Sequence, residues 1–304
     1  MYDLLIKGGT VIDPSQGIHA VNDVAVEGGK IARVAPDLPI EEASRVLEVQ
    51  GKVVTPGLID VHTHVYHGVN GNGVEADVGG VRAGVTTMVD AGSAGCDTFG
   101  GFPSHIVPGN QTEVICFLHI CRTGLATTPD IFSPASIDLD KTIQVASDNR
   151  QLIAGIKARM VSPALEIMGM EMPRLAKRAA RESGTRLMVH IGDTEKRYPA
   201  EVVSELLPIM DEGDIVTHLF TANPGGVLDT KGKVVPELSL KPIFNYLEKK
   251  LNGKIYFYQE KIDSKAVAAS NKLKPGEILL IENIRFFKEE ESDEESFAKN
   301  LGKL

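Results

Sequence analysis

The sequence predicts an α/β fold: six strands of a parallel strand–helix barrel, with a small β domain before them and an α/β fragment after them. Three observations carry that prediction. From Leu58 onward, short apolar and β-branched runs alternate with helical stretches, the pattern of a parallel sheet with crossover helices. Six such runs precede residue 220, whereas a closed (β/α)8 barrel needs eight strands. Composition then changes after Leu238. All eight histidines lie before that point and none in the last 66 residues, while the aromatic residues divide eight and eight. The first part carries 9 Lys and 11 Arg against 30 acids, and the second 11 Lys and 1 Arg against 11. One homogeneous domain rarely changes character so sharply. The chain reads as composite.

Taken in order, residues 1–57 form the small β domain, with strands over Asp3–Lys7, Val21–Val26, Lys30–Val34 and Arg45–Glu48 and turns at Gly8-Gly9 and Gly28-Gly29. Residues 58–238 form the barrel portion. Its strands are placed at Leu58–His64, Thr86–Asp90, Glu113–Ile120, Ile153–Arg159, Arg186–His190 and Ile215–Leu219. Helices are placed at Glu171–Glu182 and at Pro199–Met210, the second with Pro at its first position. Residues 239–304 form the third part, with helices over Leu240–Leu251, Ser264–Leu273 and Glu294–Leu301 and strands over Lys254–Tyr258 and Glu277–Glu282. Those two β units are numerically the two that the barrel lacks. The sequence leaves open whether they dock as strands seven and eight, and a loosely attached tail is the expectation.

The stretch Thr55-Pro-Gly-Leu-Ile-Asp-Val-His-Thr-His64 organises the barrel part. Leu58, Ile59 and Val61 read as a buried strand opened by Pro56-Gly57. A two-residue spacing puts His62 and His64 on one face of that strand, where two imidazoles can bind one divalent ion. His-x-His alone is a weak signal; behind Pro-Gly-Leu-Ile-Asp it is specific. At this point the chain resembles the amidohydrolase superfamily, metal-dependent hydrolases on a TIM-type (β/α)8 barrel. The stretch from Gly73 to Gly101, with Ala83-Gly-Val-Thr-Thr-Met-Val-Asp-Ala-Gly-Ser93, is similar to its dihydroorotase-like and deacetylase branch.

That resemblance implies a metal constellation of His62, His64, Lys157, His190 and His218, with Lys157, His190 and His218 in catalytic positions. Lys157, in Gly155-Ile-Lys-Ala-Arg159, matches the strand-four lysine that reacts with carbon dioxide, its carbamate bridging two metals. Two zinc ions are expected, and other divalent metals would also suit imidazole and oxygen donors. The family's general base, an aspartate at the end of strand eight, has no counterpart here, since the resemblance stops after strand six. His19, His67, His105 and His119 read as ordinary residues, as do Arg82 and Arg122.

From Lys231 the chain resembles phosphoglycerate kinase instead. The motifs are Leu273-Lys-Pro-Gly-Glu-Ile-Leu-Leu-Ile-Glu-Asn-Ile-Arg-Phe286 and Lys288-Glu-Glu-Glu291. Arg285 matches an arginine that helps bind phosphoglycerate in that family, but the rest of its basic patch and the nucleotide domain have no counterpart. Gly232–Leu238 is where two coding sequences could have joined.

Bulk properties narrow the partners. A net charge of −9 argues against nucleic acid and anionic membrane. Cys96, Cys116 and Cys121 lack metal-like spacing and read as small buried hydrophobes, and no signal or membrane-spanning run is visible. A cytoplasmic protein with a small-molecule substrate is expected, its oligomeric state open. Three functions compete: a binuclear hydrolase of a small amide, cyclic amide or ester; a metal-binding chimera without turnover; and a phosphoglycerate kinase-related fragment without activity.

Overall fold

The computed structural model describes residues 1–193, 195, 197, 202–218, 221, 223, 240–250, 253–274, 276–282, 284, 287–292 and 294–304. Arg285, the junction at 232–238 and Pro199 lie outside the described residues. The chain divides into two compact units, the first made of Met1–Thr63, Glu75–Val89 and Asn110–Val114 and the second of the remainder.

The first unit holds the N-terminal β domain. β1 (Leu4–Asp13), β2 (Ile18–Glu27), β3 (Lys30–Ala35) and β4 (Val46–Glu48) lie in the order β3-β2-β1-β4, and β5 (Val53–Val54) also pairs with β1. β1 and β2 run longer than local propensity indicates because they pair antiparallel along their length, with a register shift between Ile6 and Gly9. Leu5, Ala25 and Leu38 form its core. Beside them Asp23, 3% exposed, accepts hydrogen bonds from Lys7 Nζ (2.9 Å), Gly8 N–H (2.7 Å) and Leu38 N–H (2.8 Å). Burial pulls its pKa up, but the Lys7 ammonium and these donors outweigh that and hold it below the usual carboxylate value. Asp23→Ala is therefore expected to remove about 2–3 kcal/mol of stability, read from urea unfolding, by leaving the buried Leu38 N–H and the half-buried Gly8 N–H without their acceptor and Lys7 without its counter-charge.

A second sheet has the sequential order β11-β10-β9-β8-β7-β6. Its strands are β6 (Leu58–Thr63), β7 (Val85–Gly95), β8 (Glu113–His119), β9 (Ile153–Arg159), β10 (Arg186–His190) and β11 (Ile215–Thr217). The pairs from β8 to β11 are parallel. On one face β9 and β10 present Ile156, Leu187 and Val189, all buried. Over them packs the apolar face of α4 (Glu171–Glu182), through Met172, Ala176, Ala179 and Ala180. From the same helix buried Lys177 reaches Asp214, whose Oδ1 also accepts from Leu187 N–H at 2.9 Å. That network ties the helix to the start of β10 and the approach to β11.

β6 corrects one expectation. Leu58, Ile59 and Val61 are 56%, 60% and 55% exposed, so this is an exposed edge strand and not a buried one. Among the described residues the sheet order ends at β6, which leaves its apolar residues without a further strand to cover them.

The tail also settles its own pairing. β12 (Ile255–Tyr258) and β13 (Ile278–Ile281) pair in parallel with each other, in register Ile255↔Ile278 to Tyr258↔Ile281, as a separate two-stranded sheet. Among the described residues they do not extend the six-stranded sheet. Phe257 stacks on Phe244 of α6 (Lys241–Lys250) at 5.4 Å. Ile262, Ala266 of α7 (Ser264–Ser270) and Phe297 of α9 (Glu295–Leu301) form a small separate core. Local propensity reached these elements to within a few residues. No described helix is long and apolar enough to cross a membrane.

Candidate active site

Strand pairing gathers the chemistry of the second unit. Register-paired residues of parallel strands share a face, and residues two apart on one strand do too. Lys157 pairs with His119 on β8 and Met188 on β10, and Arg159 pairs with His190, itself opposite Thr217. His119, Lys157, Arg159 and His190 thus point to one side, at or near the C-terminal ends of their strands. His218 follows β11 directly, with φ of 62°, a left-handed conformation uncommon outside glycine. Its ring lies 4.3 Å from that of His190, centroid to centroid.

Lys157 is 1% exposed, and its Nζ has no hydrogen-bond partner among the described residues. Burial foremost, and then the Arg159 guanidinium, lower its pKa to about 7, against the opposing pull of the Asp90 carboxylate. Close packing holds the side chain. A Cβ built on Gly92, whose φ is 98°, would lie 2.5 Å from Lys157 Cγ and 3.2 Å from His119 Cδ2. Only glycine leaves the room that the lysine stem occupies.

The turn around Gly92 is built by Asp90, which is fully buried. Its Oδ2 accepts from Val65 N–H (2.8 Å), and its Oδ1 from Gly92 N–H (3.1 Å) and Ser93 N–H (2.6 Å). Ser93 Oγ accepts from Asn70 and stands 3.0 Å from His64 Nδ1. Burial lowers the His64 pKa, against Asp90 and with Lys157 and Arg159; His218 is lowered by burial and by the same two cations. Both imidazoles are thereby biased to the neutral form. His62 is half-buried on β6 and belongs to the first unit.

His119, read from sequence as ordinary, is fully buried. Its Nδ1 accepts from Cys121 N–H at 3.0 Å, which leaves the ring proton of a neutral imidazole on Nε2, 3.4 Å from Asp130 Oδ2. Asp130, 2% exposed, also accepts from Ile131 N–H (2.9 Å) and from Arg159 Nη1 (3.3 Å). Burial raises its pKa, but His119, Arg159 and that N–H overcome it and keep the carboxylate ionised. Sequence reading also passed over Asp90, Asp130 and Arg159. Asp90 and Arg159 had one available signal, their position at the ends of apolar runs; Asp130 had none.

Among the described residues, no group of three or more His, Cys, Asp or Glu side chains stands together as a metal site. The donor chemistry nevertheless suits divalent ions: two adjacent imidazoles, a third biased to neutrality, and a buried amine with pKa near neutral pH. Glu282, at the end of β13, is 6% exposed, and its Oε1 accepts from Leu240 N–H at 3.0 Å, ahead of α6. It serves the tail's own helix.

Known proteins divide along the same lines. The chain is 31% identical to a deacetylase of Agrobacterium fabrum over 67% of its length and 50% of the relative's. It is 27% identical to a dihydroorotase of Geobacter sulfurreducens over 71% of its length and 47% of the relative's. The chain spans about half the length of these curated relatives. Among solved structures it is similar to a dihydroorotase, with TM-score 0.64 and 27% identity over 82% of this chain and 63% of that one. An adenine deaminase matches with TM-score 0.69 and 25% identity over 100% of this chain and 78% of that one. The phosphoglycerate kinase family matches residues 172–304, starting in α4 and so ahead of the motifs that begin at Lys231. By these matches the larger, N-terminal part of the chain belongs to the amidohydrolase superfamily, on its deacetylase- and dihydroorotase-like branch, and its C-terminal part carries a phosphoglycerate kinase segment.

Proposed function

We propose that residues 58–238 are six strands of an incomplete (β/α)8 barrel that hydrolyses a small amide, cyclic amide or ester with divalent metal, a reading supported by likeness to a deacetylase and a dihydroorotase. The observation that carries the reading is Lys157: a lysine buried to 1% exposure, unpartnered among the described residues, on the same sheet face as His190. An isolated buried ammonium is costly, and a neutral amine is the form that adds carbon dioxide, releasing a proton and leaving a carbamate with two ligand oxygens. Lys157 as carbamate, with His62, His64, His190 and His218, would hold two zinc ions. When bound, such ions supply an activated water and polarise a carbonyl. With its Nδ1–H donated to Ser93 Oγ, His64 would leave Nε2 for a metal.

A second reading, metal binding without turnover, rests on a specific observation. The general base expected from strand eight has no counterpart, and Glu282, the carboxylate of the tail best placed in sequence to replace it, caps the tail's own helix. The phosphoglycerate kinase-related reading has no described site residue, since Arg285 lies outside the described residues.

Elemental analysis separates these readings when joined to turnover of a panel of N-acyl amino acids and esters. Wild-type protein should carry one to two equivalents of zinc, and His190→Ala combined with His218→Ala should lose at least one. Equal metal content in both proteins would end the metal reading. Metal without turnover would favour the inactive one.

A further inference from the structure

A cavity of about 520 Å³ lies beside the starts of β9 and β10, at the opposite end of the strands from Lys157, His190 and His218. Its walls include Arg150, Lys177, Arg181, Arg186 and Asp211. Four cations face one carboxylate there, in a chain whose net charge is −9.

The nearby aspartates are already engaged. Asp211 accepts from Nε and Nη2 of Arg181, at 2.9 Å each, and stands 2.8 Å from Lys177 Nζ. Asp214 pairs with Lys177 and accepts from the N–H groups of Leu187 and Asp211. Arg150 and Arg186 meet only backbone carbonyls among the described residues. Nη1 of Arg150 donates to the Ser183 carbonyl and Nη1 of Arg186 to the Glu212 carbonyl, both at 2.8 Å. Each guanidinium also lies against a glycine. A Cβ built on Gly184 would stand 2.5 Å from Arg150 Nη1, and one on Gly213 would stand 2.9 Å from Arg186 Cζ. One anchored corner and a close backbone wall fix each guanidinium, while most of its N–H donors stay unspent. A lone surface arginine is solvated and needs no ligand. Two on one concave wall repel each other, and an anion between them relieves that repulsion.

We propose that this cavity binds a phosphoryl dianion, free or carried by a small phosphomonoester, between Arg150 and Arg186. A carboxylate presents two oxygens, which one guanidinium fork occupies, whereas a phosphoryl group presents three and can take both forks. The site owes nothing to the hydrolase reading, because it shares no residue with the strand-end constellation.

The test titrates inorganic phosphate, glycerol 3-phosphate and acetate into the full chain by calorimetry, at about pH 8, where the phosphoryl group is doubly ionised. Phosphate should bind saturably, about one per chain, and about tenfold or more tighter than acetate. Tighter binding of glycerol 3-phosphate than of phosphate would identify a phosphomonoester as the ligand, and the reverse order free phosphate; both support the site. Arg150→Gln and Arg186→Gln should each weaken phosphate by about tenfold or more. Arg174→Gln removes the same charge from α4 outside the cavity wall and should change the affinity by no more than about twofold. No saturable binding, acetate binding as tightly as phosphate, or Arg174→Gln weakening phosphate as much as the two wall arginines do would overturn the proposal. So would loss of phosphate binding in His190→Ala combined with His218→Ala, which would put the anion at the strand ends instead. Urea midpoints check that each variant folds. Should a glutamine variant fail to fold, Arg150→Lys and Arg186→Lys keep the charge but lose the fork, and should still weaken phosphate by about threefold or more. Unchanged affinity in both lysine variants would also overturn the proposal.

Discussion

Gly92→Ala should cost about 3 kcal/mol or more of stability and displace Lys157. The two effects have separate origins. A residue with a Cβ pays roughly 1–2 kcal/mol to hold a positive φ such as the 98° found here. The new methyl would also lie 2.5 Å from Lys157 Cγ and 2.7 Å from its Cβ, the inner stem of a packed side chain that has little room to move. Overfilling of this kind costs a further 1–3 kcal/mol, roughly. Gly17→Ala supplies the control. Gly17 also has a positive φ, of 66°, but a Cβ there meets nothing within 4 Å, so only the first cost applies. Urea midpoints of the two variants should differ by the packing contribution. Equal midpoints would show that Lys157 yields freely and that the site is softer than its burial indicates.

That contrast bears on what sequence could tell. The His62–His64 pair stood out because a strand period of two is a local property, written in a few residues, whereas Lys157, His190 and His218 were singled out by the family resemblance and by falling at strand ends. His119, Asp130 and Arg159 were not. Strands of a parallel sheet are apolar on both faces, so alternation does not say which side a residue takes, and His119 could be placed only once Lys157 was found opposite it in register. β6 failed for a related reason. Leu58, Ile59 and Val61 have the composition of a buried strand, but burial depends on a further strand, and among the described residues the sheet ends at β6. The tail repeats the lesson. Its helices and strands were legible from propensity, whereas the choice of β12 for β13, instead of the open sheet, is a long-range matter. Glu282 followed that choice into capping α6.

Replacing Lys157 by Met should stabilise the protein while removing the proposed function. The folded-state pKa, about 7, lies well below the value near 10.4 expected for an unfolded lysine. Between those values the unfolded chain binds a proton that the folded chain does not, so stability rises with pH across that window. Below pH 7 both states are protonated, and the full penalty of burying the ammonium is present. At about 1.4 kcal/mol per pH unit over roughly three units, that penalty reaches as much as roughly 4 kcal/mol. Methionine has nearly the same length and no charge, so Lys157→Met should be more stable than wild type by up to that amount at pH 6 to 7. The gain should shrink steadily toward pH 10. Urea unfolding of both proteins at each pH, in buffer freed of metal and carbon dioxide, measures the difference and cancels every other titrating group. A difference that does not vary with pH would mean that Lys157 is stably charged in the fold, paired in a way that its burial conceals. A pH-dependent gain, coupled to loss of bound zinc in metal-replete buffer, would instead identify a lysine that weakens the fold because its neutral amine is needed at the site.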